Sequence, residues 1–302
     1  MTTASYSSTA EYDAFGPWID EVTSADEVPR LYGGYGIDFG SSIRILKFPR
    51  NIARRDANPA MHLYDHLVIV TRERLTILSR DGDAFTELTL AHDQIAAVTD
   101  WVNLLDAQLT FFTTAGDVVT VPYNGSSNDT VVALVDLVRA LARETRPSRP
   151  VALPAGLPPL GLDDLGKKDA VFVTSYRDLL RREPGTKMLA AHGRSTVARR
   201  GGLLARLADA VLPVTLHGAV IAAGGTELQV LSRREWFTRG GAPVLSRART
   251  VVPLDSVVGA TTAEHPRYLG VSVVTLTVGS ARIPFDVPDD SAARSVLLAL
   301  RR

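Results

Sequence analysis

The chain has 302 residues, of which 45% are hydrophobic and 22% are charged. This composition excludes a disordered or fibrous protein, and at roughly 100–200 residues per domain the length favours two domains. The 33 basic and 33 acidic residues cancel in the whole chain, but residues 1–150 carry a net charge of −7 and residues 151–302 a net charge of +7. The two halves are therefore electrostatic opposites.

Several protein classes are disfavoured by what the sequence lacks. There is no cysteine, which excludes disulfides, thiolate nucleophiles and cysteine-based zinc sites. The Ser/Thr-rich start has no basic residue and no apolar stretch, so it is not typical of a secretory signal. The longest uncharged apolar run, residues 210–226, is interrupted by Pro213 and is shorter than the roughly 20 residues of a spanning helix. We therefore expect a cytoplasmic protein.

The first half predicts a flexible segment, then strands, then one helix. Residues 1–16 are expected to be flexible. Alternating apolar and polar residues bounded by turn signals predict seven strands, at 42–48, 67–72, 74–79, 85–90, 95–102, 108–114 and 118–121. Asp81-Gly82 is a tight hairpin signal between the third and fourth of them. From Asp129 onward, apolar residues at helical spacing predict a helix that ends this half.

The second half repeats this texture after a proline-rich segment. Residues 146–168 are predicted to be a linker, because their prolines interrupt any regular period. The spacing beyond them predicts an amphipathic helix at 203–212 and a final helix from about Asp290. Strands are predicted at 214–223, 227–234, 248–252, 257–263, 271–278 and 280–285.

Short matching segments indicate that the chain is an internal duplication. They pair 22–24 with 173–175, 75–80 with 228–233, 90–95 with 252–257, and 121–123 with 283–285. The pairs keep one order along the chain, which chance alignment rarely does. Ser24 with Glu27, and Ser175 with Asp178, also resemble capping boxes, so we expect a helix to start at each.

Seven short strands followed by a helix resemble the pleckstrin-homology-like (PH-like) fold, over residues 30–145 and 184–302. The hairpin from Thr71 to Leu75 is similar to a strand pair common in such domains, whereas the second copy has Gly224-Gly225-Thr226 there and lacks the arginine. The resemblance implies a mainly β, α+β chain of two tandem PH-like barrels, at 17–145 and 169–302. It also implies a non-enzymatic binding or scaffold protein, since such domains have little tradition of catalysis.

One candidate surface follows the matched segment in the second half, where the hairpin is nine residues longer than its counterpart. Cations interleaved with aromatic side chains in a loop suit a protein partner, an anionic membrane or a single-stranded nucleic acid. The alternative is that Trp236 folds back over the sheet. The candidates for partner binding are Arg233, Arg234, Trp236, Phe237 and Arg239.

Two basic regions occupy equivalent places in the two copies. Clustered cations can bind anionic groups through charge-assisted hydrogen bonds. The resemblance to PH-like domains favours an anionic membrane or ligand here, while a solvated charged face is the alternative. The candidates are Arg44, Lys47, Arg50, Arg54, Arg55, Arg199 and Arg200.

An enzyme is the remaining alternative, and it depends on one cluster. His62, Asp65 and His66 have the residue types of a metal site, but they precede or enter a predicted strand. No phosphate-binding loop, nucleophile elbow, zinc-protease motif or calcium loop occurs in the sequence. We therefore predict no catalytic residue, metal or cofactor, and we expect a protein partner rather than nucleic acid.

Overall fold

The computed structural model describes residues 9–146, 153–201, 211–240 and 244–300. The chain is mostly β with few helices, which confirms the α+β class. It divides into two compact units. Unit 1 contains the described residues up to 95 together with 104–109 and 120–146. Unit 2 contains 96–103, 110–119 and the described residues from 153 onward.

The first half begins with helix α1 (Ala10–Ala14) and a five-stranded antiparallel sheet. The strands of this sheet lie in chain order and are β1 (Asp20–Glu21), β2 (Ser42–Pro49), β3 (Tyr64–Thr71), β4 (Arg74–Asp81) and β5 (Ala84–Ala91). Three strands and a long helix follow, and they are β6 (Ile95–Asn103), β7 (Asp106–Thr113), β8 (Val118–Asn124) and α2 (Asn128–Thr145).

The second half begins with helix α3 (Ala170–Arg182) and ends with helix α4 (Ala292–Ala299). Its first strands are β9 (Lys187–His192), β10 (Ser195–Val197), β11 (Val214–Leu216), β12 (Ala219–Gly224), β13 (Glu227–Ser232), β14 (Phe237–Arg239) and β15 (Arg247–Pro253). The last three are β16 (Val257–Glu264), β17 (Val271–Val278) and β18 (Ala281–Pro288).

One strand order occurs in both halves, as the duplication predicts. In the first half β2, β3, β4 and β5 are consecutive neighbours in a sheet, and in the second half β9, β12, β13 and β15 are. Three further strands and a helix follow each time, β6 to β8 with α2 and β16 to β18 with α4. Among the described residues, the short sheet β10-β11-β14 occurs in the second half without a counterpart in the first. The described strands form no closed barrel, so the expected barrel closure is not seen.

Equivalent apolar residues pack in equivalent places in each half. Val22 belongs to a buried cluster with Leu67 and Ile69 of β3. Val173, its match in the repeat, belongs to a buried cluster with Val220 and Ala222 of β12. In both halves, therefore, the segment before the first long strand covers one face of the four-stranded meander, and burial of these side chains stabilises that arrangement.

Several sequence-based boundaries are corrected by the structure. Strands β9, β10 and β14 were not expected, and the single strand expected at 214–223 is two strands. The break falls at Gly218, where a Cβ atom would lie 2.8 Å from the carbonyl oxygen of His192 and 2.9 Å from a carboxylate oxygen of Asp169. The N-terminal residues from 10 onward are also ordered into α1, and Phe15 is buried.

Neither capping box is formed. Ser24 precedes a short 3₁₀ helix but makes no side-chain cap bond, and the Glu27 carboxylate accepts from Thr23 instead. Ser175 lies inside α3, which follows Asp169. The helix expected at 203–212 lies mostly outside the described residues, which omit 202–210.

Candidate functional site

The proposed contact segment at 233–239 is largely built into unit 2. Arg233 is only 3% exposed. It donates to the Asp169 carboxylate at 3.0 Å and to the carbonyl oxygens of Lys168 and Ser246 at 2.7 Å each. Asp169 is fully buried and also accepts from Arg194 at 2.9 Å. Arg233 is therefore a structural cation, which corrects the expectation that it contacts a partner.

The aromatic residues of this segment also face the fold. Trp236 is partly buried and meets Phe285 edge to face with ring centroids 6.4 Å apart. Phe237 lies in β14, where it pairs with Leu216 of β11, and its ring centroid is 4.3 Å from that of Tyr268. Arg234 stacks over the Trp101 ring at 3.8 Å, and Arg239 is exposed. The alternative in which Trp236 folds back over the sheet matches this placement, and the five residues do not form one exposed surface.

The basic candidates of the first half are paired with neighbouring groups rather than gathered into an anion site. Arg44 forms an ion pair with Glu21 at 3.7 Å, and Arg55 lies 3.9 Å from Asp56. Lys47 is 9% exposed, donates to the carbonyl oxygen of Glu27 and lies over the Tyr64 ring.

The basic candidates of the second half have structural roles as well. Arg200 donates to the Glu264 carboxylate at 2.6 Å and to the carbonyl oxygen of His265 at 2.9 Å. Arg199 forms a β-bridge with Tyr268. These two arginines thus tie the chain to the turn that follows β16 rather than presenting a basic patch.

The three candidate metal ligands, His62, Asp65 and His66, each contact a different residue. His62 lies 3.7 Å from Asp83, and Asp65 accepts from Arg80 at 2.7 Å. The Nδ1 atom of His66 is 3.0 Å from the Ser79 hydroxyl. Among the described residues no group of three or more His, Cys, Asp or Glu side chains could hold a metal ion. The structure therefore does not assemble the site that the enzyme alternative requires.

Four of these candidates nevertheless line one cleft of about 660 Å³ in unit 1. Its walls come from the segment after α1, the loop between β2 and β3, the start of β7 and the end of β8. The cleft has a volume typical of a small ligand site. The candidates that line it are Arg50, Arg54, Asp65 and His66, and Asp106, Tyr123 and Asn124 line it as well.

The charges in this cleft are of both signs. Arg50 lies 3.7 Å from Asp65, and Arg54 donates to the carbonyl oxygens of Tyr12 and Phe15. Burial lowers the pKa of His66 below its ordinary value, an effect that the nearby Asp65 opposes. The arrangement suits a ligand or peptide group with both donors and acceptors better than a purely anionic headgroup.

Large apolar side chains lie in the segments next to this cleft. Trp18 follows Pro17 and is 59% exposed, while Leu104 and Leu105 precede Asp106 and are 68% and 66% exposed. The same 3₁₀ helix, Gly125–Ser127, holds both segments: the Ser127 hydroxyl accepts from Ile19 N–H, and Gly125 N–H donates to the carbonyl oxygen of Leu105. We call Trp18, Leu104 and Leu105 the Leu-Trp patch.

The backbone at Leu104 makes the patch more unusual. Its φ of 58° lies in the left-handed region, and it is the one non-glycine residue with positive φ in the described chain. A bulky side chain there costs about 1–2 kcal/mol, and burial does not offset this cost because the side chain is exposed. Backbone strain that packing does not explain is frequent at functional sites.

The Leu-Trp patch was missed by sequence reasoning, although one signal was available. The turn between β6 and β7 has Asn103-Leu104-Leu105-Asp106, in which two leucines occupy positions that usually carry Gly, Asn or Asp. An apolar pair at a hairpin tip is therefore the feature that could have marked it.

Comparison of the chain with protein-family models, with curated proteins and with solved structures gives no match. None of the helices among the described residues is both long enough and apolar enough to cross a membrane.

Proposed function

We propose that this chain is a non-enzymatic binding or scaffold protein built from two PH-like modules, and that unit 1 binds a protein partner through the Leu-Trp patch and the neighbouring cleft. The repeated strand order, with a closing helix in each half, supports the modular reading. The cleft contains charges of both signs, and exposed apolar side chains lie in the segments next to it. Protein interfaces typically combine a polar rim with apolar anchor residues in this way.

The conformation of Leu104 is the observation that carries this proposal. At φ 58°, glycine would strain the backbone less than leucine does, so the leucine destabilises this turn. Its side chain is 68% exposed and therefore gains little from packing in its own fold. Contact with an apolar pocket of a partner accounts for both features, because the leucine then buries its surface on binding.

Replacing Leu104 with glycine should separate binding from stability. The free energy of unfolding should stay the same or rise by up to about 1 kcal/mol, because glycine adopts positive φ without strain, partly offset by its greater freedom when unfolded. Retention of a host protein on the immobilised chain should fall about thirtyfold, as expected for loss of an anchor contributing about 2 kcal/mol. Urea unfolding and quantitative capture measure the two effects.

Val118→Ala is the matched control, because Val118 is also an exposed aliphatic residue at 57% but lies outside the patch. It should leave the captured amount unchanged. Equal capture by wild type and Leu104→Gly would remove the basis of the proposal.

The anionic-membrane alternative makes a different prediction. Most of the basic side chains it requires are paired inside their own units, so we expect wild-type protein to stay in the supernatant when vesicles rich in anionic lipid are sedimented. Pelleting that is lost in Leu104→Gly would show instead that the patch enters a lipid surface.

A further inference from the structure

Equivalent strands of the two copies differ in whether a neighbouring strand covers their edges. Strand β6 of the first half pairs with β15 of the second half, and both segments lie in unit 2. Their counterparts in the duplication are β16, which matches β6, and β5, which matches β15. Each counterpart is the last strand of its own sheet, so one of its edges has no strand neighbour among the described residues.

Exposure follows this difference in pairing. In β15, Ala248 and Thr250 are buried, whereas their equivalents in β5 are more open: Thr86 is exposed and Leu88 is half-buried. In β6, Trp101 is buried, whereas the equivalent Ala263 of β16 is exposed. All four residues from Thr261 to Glu264 are exposed. β15 and β6 are thus covered by pairing with each other, whereas their counterparts β5 and β16 each have an uncovered edge.

The uncovered strands lack the usual protection of sheet edges. Natural edge strands are commonly short, or carry proline, several charges or bulges that prevent pairing with another chain. β5 and β16 have eight residues each, contain no proline and have one charged residue each, Glu87 and Glu264. The irregularity in β16 is confined to its start, between Val257 and Gly259.

We propose that the free edge of β5 in one copy of this chain pairs with the free edge of β16 in a second copy, in the antiparallel register that β15 and β6 use. One chain carries both edges, so two copies that exchange both contacts form a closed dimer, while single contacts extend a row of chains. The occupant of each edge is thus a second copy of the same protein, which already shows this strand pairing inside unit 2.

The register of β15 on β6 specifies which residues should face each other. In unit 2, Thr250 faces Thr99 with their hydroxyls 2.9 Å apart, and Arg249 faces Asp100. Residue matching along the duplication transfers this register to the proposed contact. The expected pairs are Leu88 with Thr261, Glu87 with Thr262, and Thr86 with Ala263.

A charge at Thr262 tests this register with two variants of one residue. Wild-type protein should have a mass of at least twice 32.5 kDa by light scattering at high concentration. Thr262→Glu should return it to the 32.5 kDa of one chain, because two carboxylates then face each other. Thr262→Lys should keep the larger mass, because it faces Glu87. Circular dichroism checks that both variants fold.

Cysteine cross-linking tests the same contact independently, since the chain has no cysteine of its own. A mixture of Thr86→Cys and Ala263→Cys chains should give a disulfide-linked dimer on mild oxidation, because facing residues on paired strands meet disulfide geometry. Thr120→Cys, exposed on strand β8, replaces Thr86→Cys in the control mixture and should give much less. A mass of one chain at every concentration, equal masses for the Glu and Lys variants, or equal cross-linking in both mixtures would overturn the proposal.

Discussion

Replacing Asp169 with alanine is expected to lower the free energy of unfolding by about 3–5 kcal/mol, the typical cost of removing one partner from a buried ion pair. The carboxylate is fully buried and accepts hydrogen bonds from Arg194, Arg233 and the N–H of Gly218. Without it, the 3%-exposed Arg233 side chain keeps its charge in a site from which water is excluded. Urea unfolding followed by circular dichroism measures the loss.

Acid should weaken the same site. Burial by itself would raise the pKa of Asp169, but the hydrogen bonds from Arg194, Gly218 and Arg233 outweigh it and hold the pKa below its ordinary value. A carboxyl group with a lowered pKa in the folded state stabilises the protein above its unfolded pKa, and this stabilisation is lost as the pH falls through the folded value. The wild type should therefore lose stability below about pH 4 more steeply than Asp169→Ala.

Arg239→Ala is the matched control for this site, because Arg239 is an exposed arginine in the same segment as Arg233. It should change the free energy of unfolding by no more than about 0.5 kcal/mol. If Asp169→Ala unfolds at the same urea concentration as the wild type, Arg233 is not held by this ion pair. Arg233 would then again be a candidate for contact with a partner.

Replacing Trp236 with alanine is expected to cost about 2–3 kcal/mol, somewhat less than the 3–5 kcal/mol of a fully buried aromatic residue. Trp236 lies against two hydrophobic clusters and meets Phe285 edge to face, so its removal leaves a gap in the packing of unit 2.

Trp18→Ala provides a control with the same change of side chain. Trp18 is 59% exposed, so its truncation should alter the urea midpoint little while reducing capture of the partner. Equal destabilisation by the two substitutions would contradict the different roles assigned to the two tryptophans.

The regular part of the fold was accessible from the sequence because period-2 alternation and turn residues are local signals. Strands β2, β4, β5, β6, β7, β16 and β17, for example, lie within a few residues of their expected positions. The duplication was also visible, since Val22 and Val173 match in sequence and pack in the same place. β9 was missed because Leu189, Ala190 and Ala191 show no alternation.

The candidate sites were harder because a sequence does not show which charges will be paired. Arg233 and Arg234 are neighbours of the same type, yet one is buried on Asp169, 64 residues away in sequence, and the other stacks on Trp101. Interactions across such distances leave no local pattern. The Leu-Trp patch depends equally on long-range contacts, because Gly125–Ser127 holds the segments of Trp18 and Leu105.

Site-specific photocross-linking from position 105 tests the binding role of the Leu-Trp patch most directly. A photoreactive amino acid in place of Leu105, which is 66% exposed, should form an adduct with a distinct protein when illuminated in host cells, and adding Leu104→Gly should strongly reduce it. The same amino acid in place of the exposed Val118 should give no such adduct. Absence of a protein adduct at position 105, or equal adducts at 105 and 118, would contradict the proposal that unit 1 binds its partner through this patch.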